Sequence, residues 1–91
     1  MSRSKQKHPV MVPVQSKMAR AATGLRIEDI SKNAQVSTAT VVRFERGEEL
    51  KPRTIQAIQR AYEDAGIEFL PGPAPGIRIH AKAERGKKAK R

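Results

Sequence analysis

Residues 36–47 read VSTATVVRFERG, and the reading of this stretch decides the fold. Ser37 is a good N-cap, because its hydroxyl can accept the free amide hydrogens of a first helical turn. Val41 and Phe44 stand three apart and point to one side, and Gly47 stops the helix where a left-handed conformation is needed. The opposite side is then Thr38, Ala39, Val42, Arg43 and Arg46. A helix that only needs solubility carries Glu, Lys and Gln there. Small groups at the helix entrance, followed by arginines, admit a partner to close range.

Working outward, Ile27, Ile30 and Ala34 recur at i, i+3 and i+7 in RIEDISKNA, with Glu28 and Asp29 complementing the dipole of the first turn. Only Gln35 and Val36 separate this short helix from the next, so the two form a helix-turn-helix unit. Ser31 falls where the two backbones cross and has to be small. Upstream, QSKMARAAT predicts a helix over residues 15–23 with Met18, Ala19 and Ala22 inward and Gly24 as its stop. Downstream, Pro52 opens a longer helix whose stripe is Ile55, Ile58, Tyr62 and Ala65, closed by Gly66. Alternation of Ile67 with Phe69 and of Ile77 with Ile79 predicts two short strands around the turn-rich PGPAPG.

A chain of 91 residues makes one small domain. Rings are few, so aliphatic side chains must build its core. The absence of cysteine removes disulfides, thiolate nucleophiles and cysteine-based zinc sites. His8 and His80 are far apart in sequence, and no glycine-rich phosphate loop is present, which disfavours an enzyme. We expect no metal and no cofactor. The net charge is +10 and uneven. Residues 1–14 carry Arg3, Lys5 and Lys7 without an acid, residues 15–66 are nearly balanced, and residues 67–91 carry seven basic and two acidic side chains. Basic ends attract polyanions without reading sequence, or serve as solubilising disordered tails. The apolar run VMVPV is too short for a signal core or a membrane span. A cytoplasmic, nucleoid-associated protein without membrane contact is the expectation.

From Arg20 to Arg53 the spacing, without gaps, resembles the helix-turn-helix domain of the Cro/C1-type (XRE-like) family of bacterial and phage DNA-binding transcriptional regulators. The matching positions are the apolar Ile30, Ala34, Val36, Val41 and Phe44, the small Ser31, Glu45-x-Gly47 and the loop KPR. The resemblance implies a mainly α, lambda-repressor-like fold: a compact four-helix domain over residues 15–66, then a short β segment over 67–80. Basic, flexible tails over 1–14 and 81–91 complete the expected organisation. It implies that Arg20 in the first helix ties Glu45 at the end of the third. It also implies double-stranded DNA as partner, with helix 37–46 in the major groove. Thr38, Ala39 and Arg43 are then candidates for base contact, since Ala39 suits a thymine methyl and Arg43 suits guanine O6 and N7. Phosphate neutralisation is the other reading of Arg43. Arg26, Ser37, Thr40, Arg46, Lys51 and Arg53 are candidates for the DNA backbone or minor groove. Two positions depart from the family pattern: Gln35 replaces the glycine of the tight turn, and Ile27 replaces a glutamine that opens the second helix.

One such helix reads only a few base pairs, so a near-palindromic operator and a homodimer are expected. Ile67, Phe69, Ile77 and Ile79 are the candidate dimer contacts, because an isolated two-stranded element is only marginally stable. The alternative placement packs this segment on its own fourth helix. A second functional reading is an antitoxin or anti-activator module whose tails hold a protein partner while the domain binds DNA for autoregulation.

Overall fold

Every helix boundary has a local cause. A computed structural model of the protein describes residues 11–80. Helix α1 (Pro13–Thr23) opens on a proline, whose missing N–H costs nothing in a first turn. The Gln15 side chain reaches back to accept the Val12 N–H at 2.8 Å. The helix stops at Gly24, whose φ of 79° lets its N–H meet the Arg20 carbonyl. Helix α2 (Ile27–Ala34) begins where Asp29 accepts the Arg26 N–H at 2.9 Å. Gln35 ends it with φ 60° and ψ 44°, the left-handed conformation expected of a position that glycine would fill more easily. The Val36 N–H then bonds the Ser31 carbonyl at 3.0 Å, which turns the chain sharply into α3 (Thr38–Glu45). Ser37 caps α3 by accepting the Thr40 N–H at 3.1 Å. After Gly47, with φ 92°, the Glu48 N–H closes back on the Arg43 carbonyl.

Helix α4 (Pro52–Asp64) follows, and strands β1 (Ile67–Leu70) and β2 (Gly76–Ile79) form an antiparallel pair. The register sets Ile67 opposite Ile79 and Phe69 opposite Ile77, so these four share one face of the hairpin. The described chain is thus mainly helical with one short two-stranded sheet. Helix α2 packs between α3 and α4, α1 lies on α3 and β2, and α4 lies on β1. Ala19, Ile30, Val41, Ile58 and Tyr62 are fully enclosed at the centre, and Phe44, Ile67 and Phe69 complete the core. Tyr62 and Phe69 meet edge to face with ring centroids 5.9 Å apart.

Four expectations change. The folded unit begins before residue 15, because Met11 is buried and α1 starts at Pro13. On α1 the enclosed side chains include Gln15, Ser16 and Thr23, whereas Met18 and Ala22 are only half-buried. The hairpin is part of the same core rather than a separate element. Gln15 holds it there, donating to the carbonyls of Leu70 (3.0 Å) and Gly76 (2.7 Å), the residue pair at its turn end. Consequently Ile67 and Phe69, expected at a subunit contact, are 2% and 5% exposed inside their own chain. Ile77 is half-buried against that core, and of the four only Ile79, at the open end of the hairpin, is largely exposed. The tail expectations for residues 1–10 and 81–91 lie outside the described residues. No described helix is long and apolar enough to cross a membrane.

Candidate nucleic-acid interface

The geometry of the candidate surface starts beneath it, at the end of α3. Arg20 on α1 grips the Glu45 carboxylate with both arms of its guanidinium: Nε donates to Oε2 at 2.9 Å and Nη2 donates to Oε1 at 2.7 Å. This is the two-pronged arrangement that makes arginine–carboxylate pairs directional. The Glu45 side chain is almost wholly enclosed, and Arg20 is about one quarter open to solvent. Two further groups join the pair. Ser16 donates to Glu45 Oε2 at 2.6 Å and shares a 2.9 Å hydrogen bond with the Tyr62 hydroxyl. A continuous polar chain therefore links α1, α3 and α4 through the core.

Burial pushes the Glu45 carboxyl up, but hydrogen bonds from Arg20 and Ser16 outweigh it and hold the group below the usual carboxylate range. Its hydrogen bond to Glu45 in turn raises the Arg20 guanidinium. Burial pushes the Tyr62 phenol up to about 12, so it stays a neutral hydrogen-bonding group. Charge at Glu45 is thereby locked in place, and the orientation of α3 is fixed by a charged clamp as well as by Val41 and Phe44.

With that side fixed, the other side of α3 is committed to solvent. Advancing about 100° per residue, the outward arc runs Thr38, Val42, Arg46, Ala39, Arg43 and Thr40. All are exposed except Thr40, which is half-buried and shares a 2.9 Å hydrogen bond with Ser37. Open depressions flank the arc. On the α2 side, Thr38 shares one with Arg26, Glu28 and Arg20. On the other, Ser37, Thr40 and Arg43 share one with Lys51, Glu49 and Thr54 at the start of α4. Two residues expected to touch bases thus each share a depression with residues expected to touch the backbone: Thr38 with Arg26, and Arg43 with Ser37, Thr40 and Lys51. Arg53 is exposed on the first turn of α4, and Arg46 stands at the end of α3.

Carboxylates are interleaved with these cations, which the sequence reading missed. Glu48 accepts from Arg43 Nε at 3.3 Å, and its second oxygen lies 3.8 Å from Arg46 Nη1. One carboxylate therefore faces both arginines of α3, held in place by the backbone turn at Gly47. All three side chains are at least half exposed or nearly so, and such pairs are weak enough to exchange partners. The signal for Glu48 was its distance of five residues from Arg43, but only the left-handed Gly47 turns that spacing into contact. Ser16 and Tyr62 carried no comparable local signal. Among the described residues, no cluster of His, Asp and Glu could hold a metal ion. Set against known proteins, the chain matches no family model and no curated protein sequence, so the chemistry of this surface speaks for itself.

Proposed function

We propose that the protein is a sequence-specific DNA-binding transcriptional regulator of the Cro/C1 type, with α2, the turn at Gln35–Ser37 and α3 as its helix-turn-helix unit. The observation that carries this reading is the division of α3 into two unlike sides. One side is clamped to the domain by Val41, Phe44 and the Arg20–Glu45 pair. The other presents small groups at the helix entrance and arginines further along, and among the described residues Thr38, Ala39, Val42, Arg43 and Arg46 are exposed. A protein that binds nucleic acid by charge alone needs neither the clamp nor the slim entrance.

In this reading α3 enters the major groove by its N-terminal turn. Thr38 and Ala39 approach base edges, and Arg43 leaves Glu48 to take a guanine through O6 and N7. Arg26, Ser37, Thr40, Arg46, Lys51 and Arg53 hold the phosphates on either side and set the register. Their interleaved carboxylates limit attraction to arbitrary sequence, so base contact has to supply the rest. Two copies on a near-palindromic operator place their α3 helices about 34 Å apart. Of the hairpin residues, Ile79 and the half-buried Ile77 are the ones left for a second copy.

The test is a selection from random duplex DNA followed by titration of the selected site. Arg43→Ala should cost about 1–3 kcal/mol and relax preference at one base position in each half-site. No enriched sequence, or equal losses on selected and scrambled duplexes, would reject the assignment.

A further inference from the structure

The Val42 side chain takes no part in the core. It is 38% exposed, and it is neither in the core nor among the apolar residues packed against it. Its position is also unfavourable for a helix. A β-branched side chain loses rotamer freedom there, and α3 already carries Thr38, Thr40 and Val41. An exposed position chosen for helix stability alone would hold Ala, Glu, Lys or Gln. The other large exposed apolar residues among those described, Val12, Val14 and Ile79, lie at the start of α1 and on β2. Among the described residues, Val42 is the large exposed apolar side chain of α3. Around α3 its neighbours are Thr38 one turn earlier and Arg46 one turn later, with Ala39 on the same arc.

Resting on the function proposed above, we infer that Val42 is a specificity-determining residue that packs on the 5-methyl group of a thymine in each operator half-site. Three features fit that occupant. Two arginines, Arg43 and Arg46, share its arc with Glu48 as their weak exposed partner, a charged margin that suits a polyanion better than an apolar protein surface. The stiffness that makes valine a poor helix residue fixes both methyl groups in advance, so little freedom is lost on contact. Within the major groove, the thymine methyl is the one apolar feature that a base pair offers. Ala39 supplies a smaller surface beside it, and Arg43 lies on the far side of Ala39, placing guanine next to thymine in the sequence read.

The experiment uses the full chain and synthetic DNA. A duplex selected from random sequence is remade with each thymine replaced in turn by deoxyuridine, which removes only the methyl group, and binding is followed by fluorescence anisotropy. Wild-type protein should lose about three- to fivefold in affinity at one thymine per half-site. Val42→Ala should bind the thymine site more weakly by a similar factor and show less than a twofold further loss with deoxyuridine there. Circular dichroism should show the variant folded as wild type, since the side chain is outside the core. A selection without an enriched sequence overturns the DNA-reading function, and this inference with it. An enriched site with no sensitive thymine overturns the inference alone. So does full deoxyuridine sensitivity in Val42→Ala.

Discussion

Replacing Arg20 by alanine tests whether the charged clamp orients α3 or merely decorates it. The wild-type Glu45 carboxylate receives three hydrogen bonds, two from Arg20 and one from Ser16. Arg20→Ala removes two and leaves an enclosed carboxylate with a serine as its sole donor among these. Breaking one side of a fully buried pair costs about 3–5 kcal/mol. Arg20 is 28% exposed, so water can enter the vacated space, and the expected loss falls to about 2–3 kcal/mol. At about 4–8 °C per kcal/mol for a domain of this size, the midpoint of thermal unfolding should drop by about 10–20 °C. Urea unfolding at neutral pH, followed by far-ultraviolet circular dichroism, measures the loss directly. The same substitution in a Glu45→Gln background should cost less than half as much, because no charge is then stranded. A loss below about 0.5 kcal/mol, or equal losses in both backgrounds, would refute the clamp.

Four further outcomes follow from the same geometry. Because the folded-state carboxyl of Glu45 is held below its unfolded value, its contribution is complete above about pH 4.3 and disappears as pH falls through the folded value; urea midpoints of wild type should fall steeply below pH 4 or so, and those of Arg20→Ala less so. Tyr62 runs the other way, its folded phenol being raised to about 12, so stability should decline as pH rises above its unfolded value of about 10. Glu48→Gln frees Arg43 and Arg46 and should strengthen binding to scrambled duplex by about three- to tenfold at low salt, with a steeper salt dependence; unchanged affinity in a gel-shift titration would show that the carboxylate restrains neither arginine. Gln35→Gly should raise stability by up to about 1 kcal/mol in urea unfolding, as relief of left-handed strain exceeds the added flexibility of the unfolded chain.

Sequence by itself determined the elements whose causes are local. Ser37, Gly24, Gly47 and Gly66 mark helix ends because caps and left-handed turns involve groups a few residues apart. The stripes Ile27–Ile30–Ala34 and Ile58–Tyr62 mark inward faces because helical periodicity needs no distant partner. Both strands came from alternation alone, and the outward side of α3 followed by subtraction once its inward side was known. The Arg20–Glu45 pair was legible through family resemblance, since 25 residues separate its members. Tertiary structure alone decided the rest. Gln15 and Ser16 look like ordinary surface residues of a helix until the hairpin and α4 arrive, 46 to 61 positions along the chain, to bond them. Ile67 and Phe69 have the same alternating pattern whether they face a second subunit or their own helix. Only the packing of α4 and the grip of Gln15 choose the latter. Glu48 joins Arg43 and Arg46 through a bend in the backbone that residue type cannot specify. Local chemistry sets where the chain turns and which side is apolar; which polar groups become buried, and against whom, is set by which elements meet.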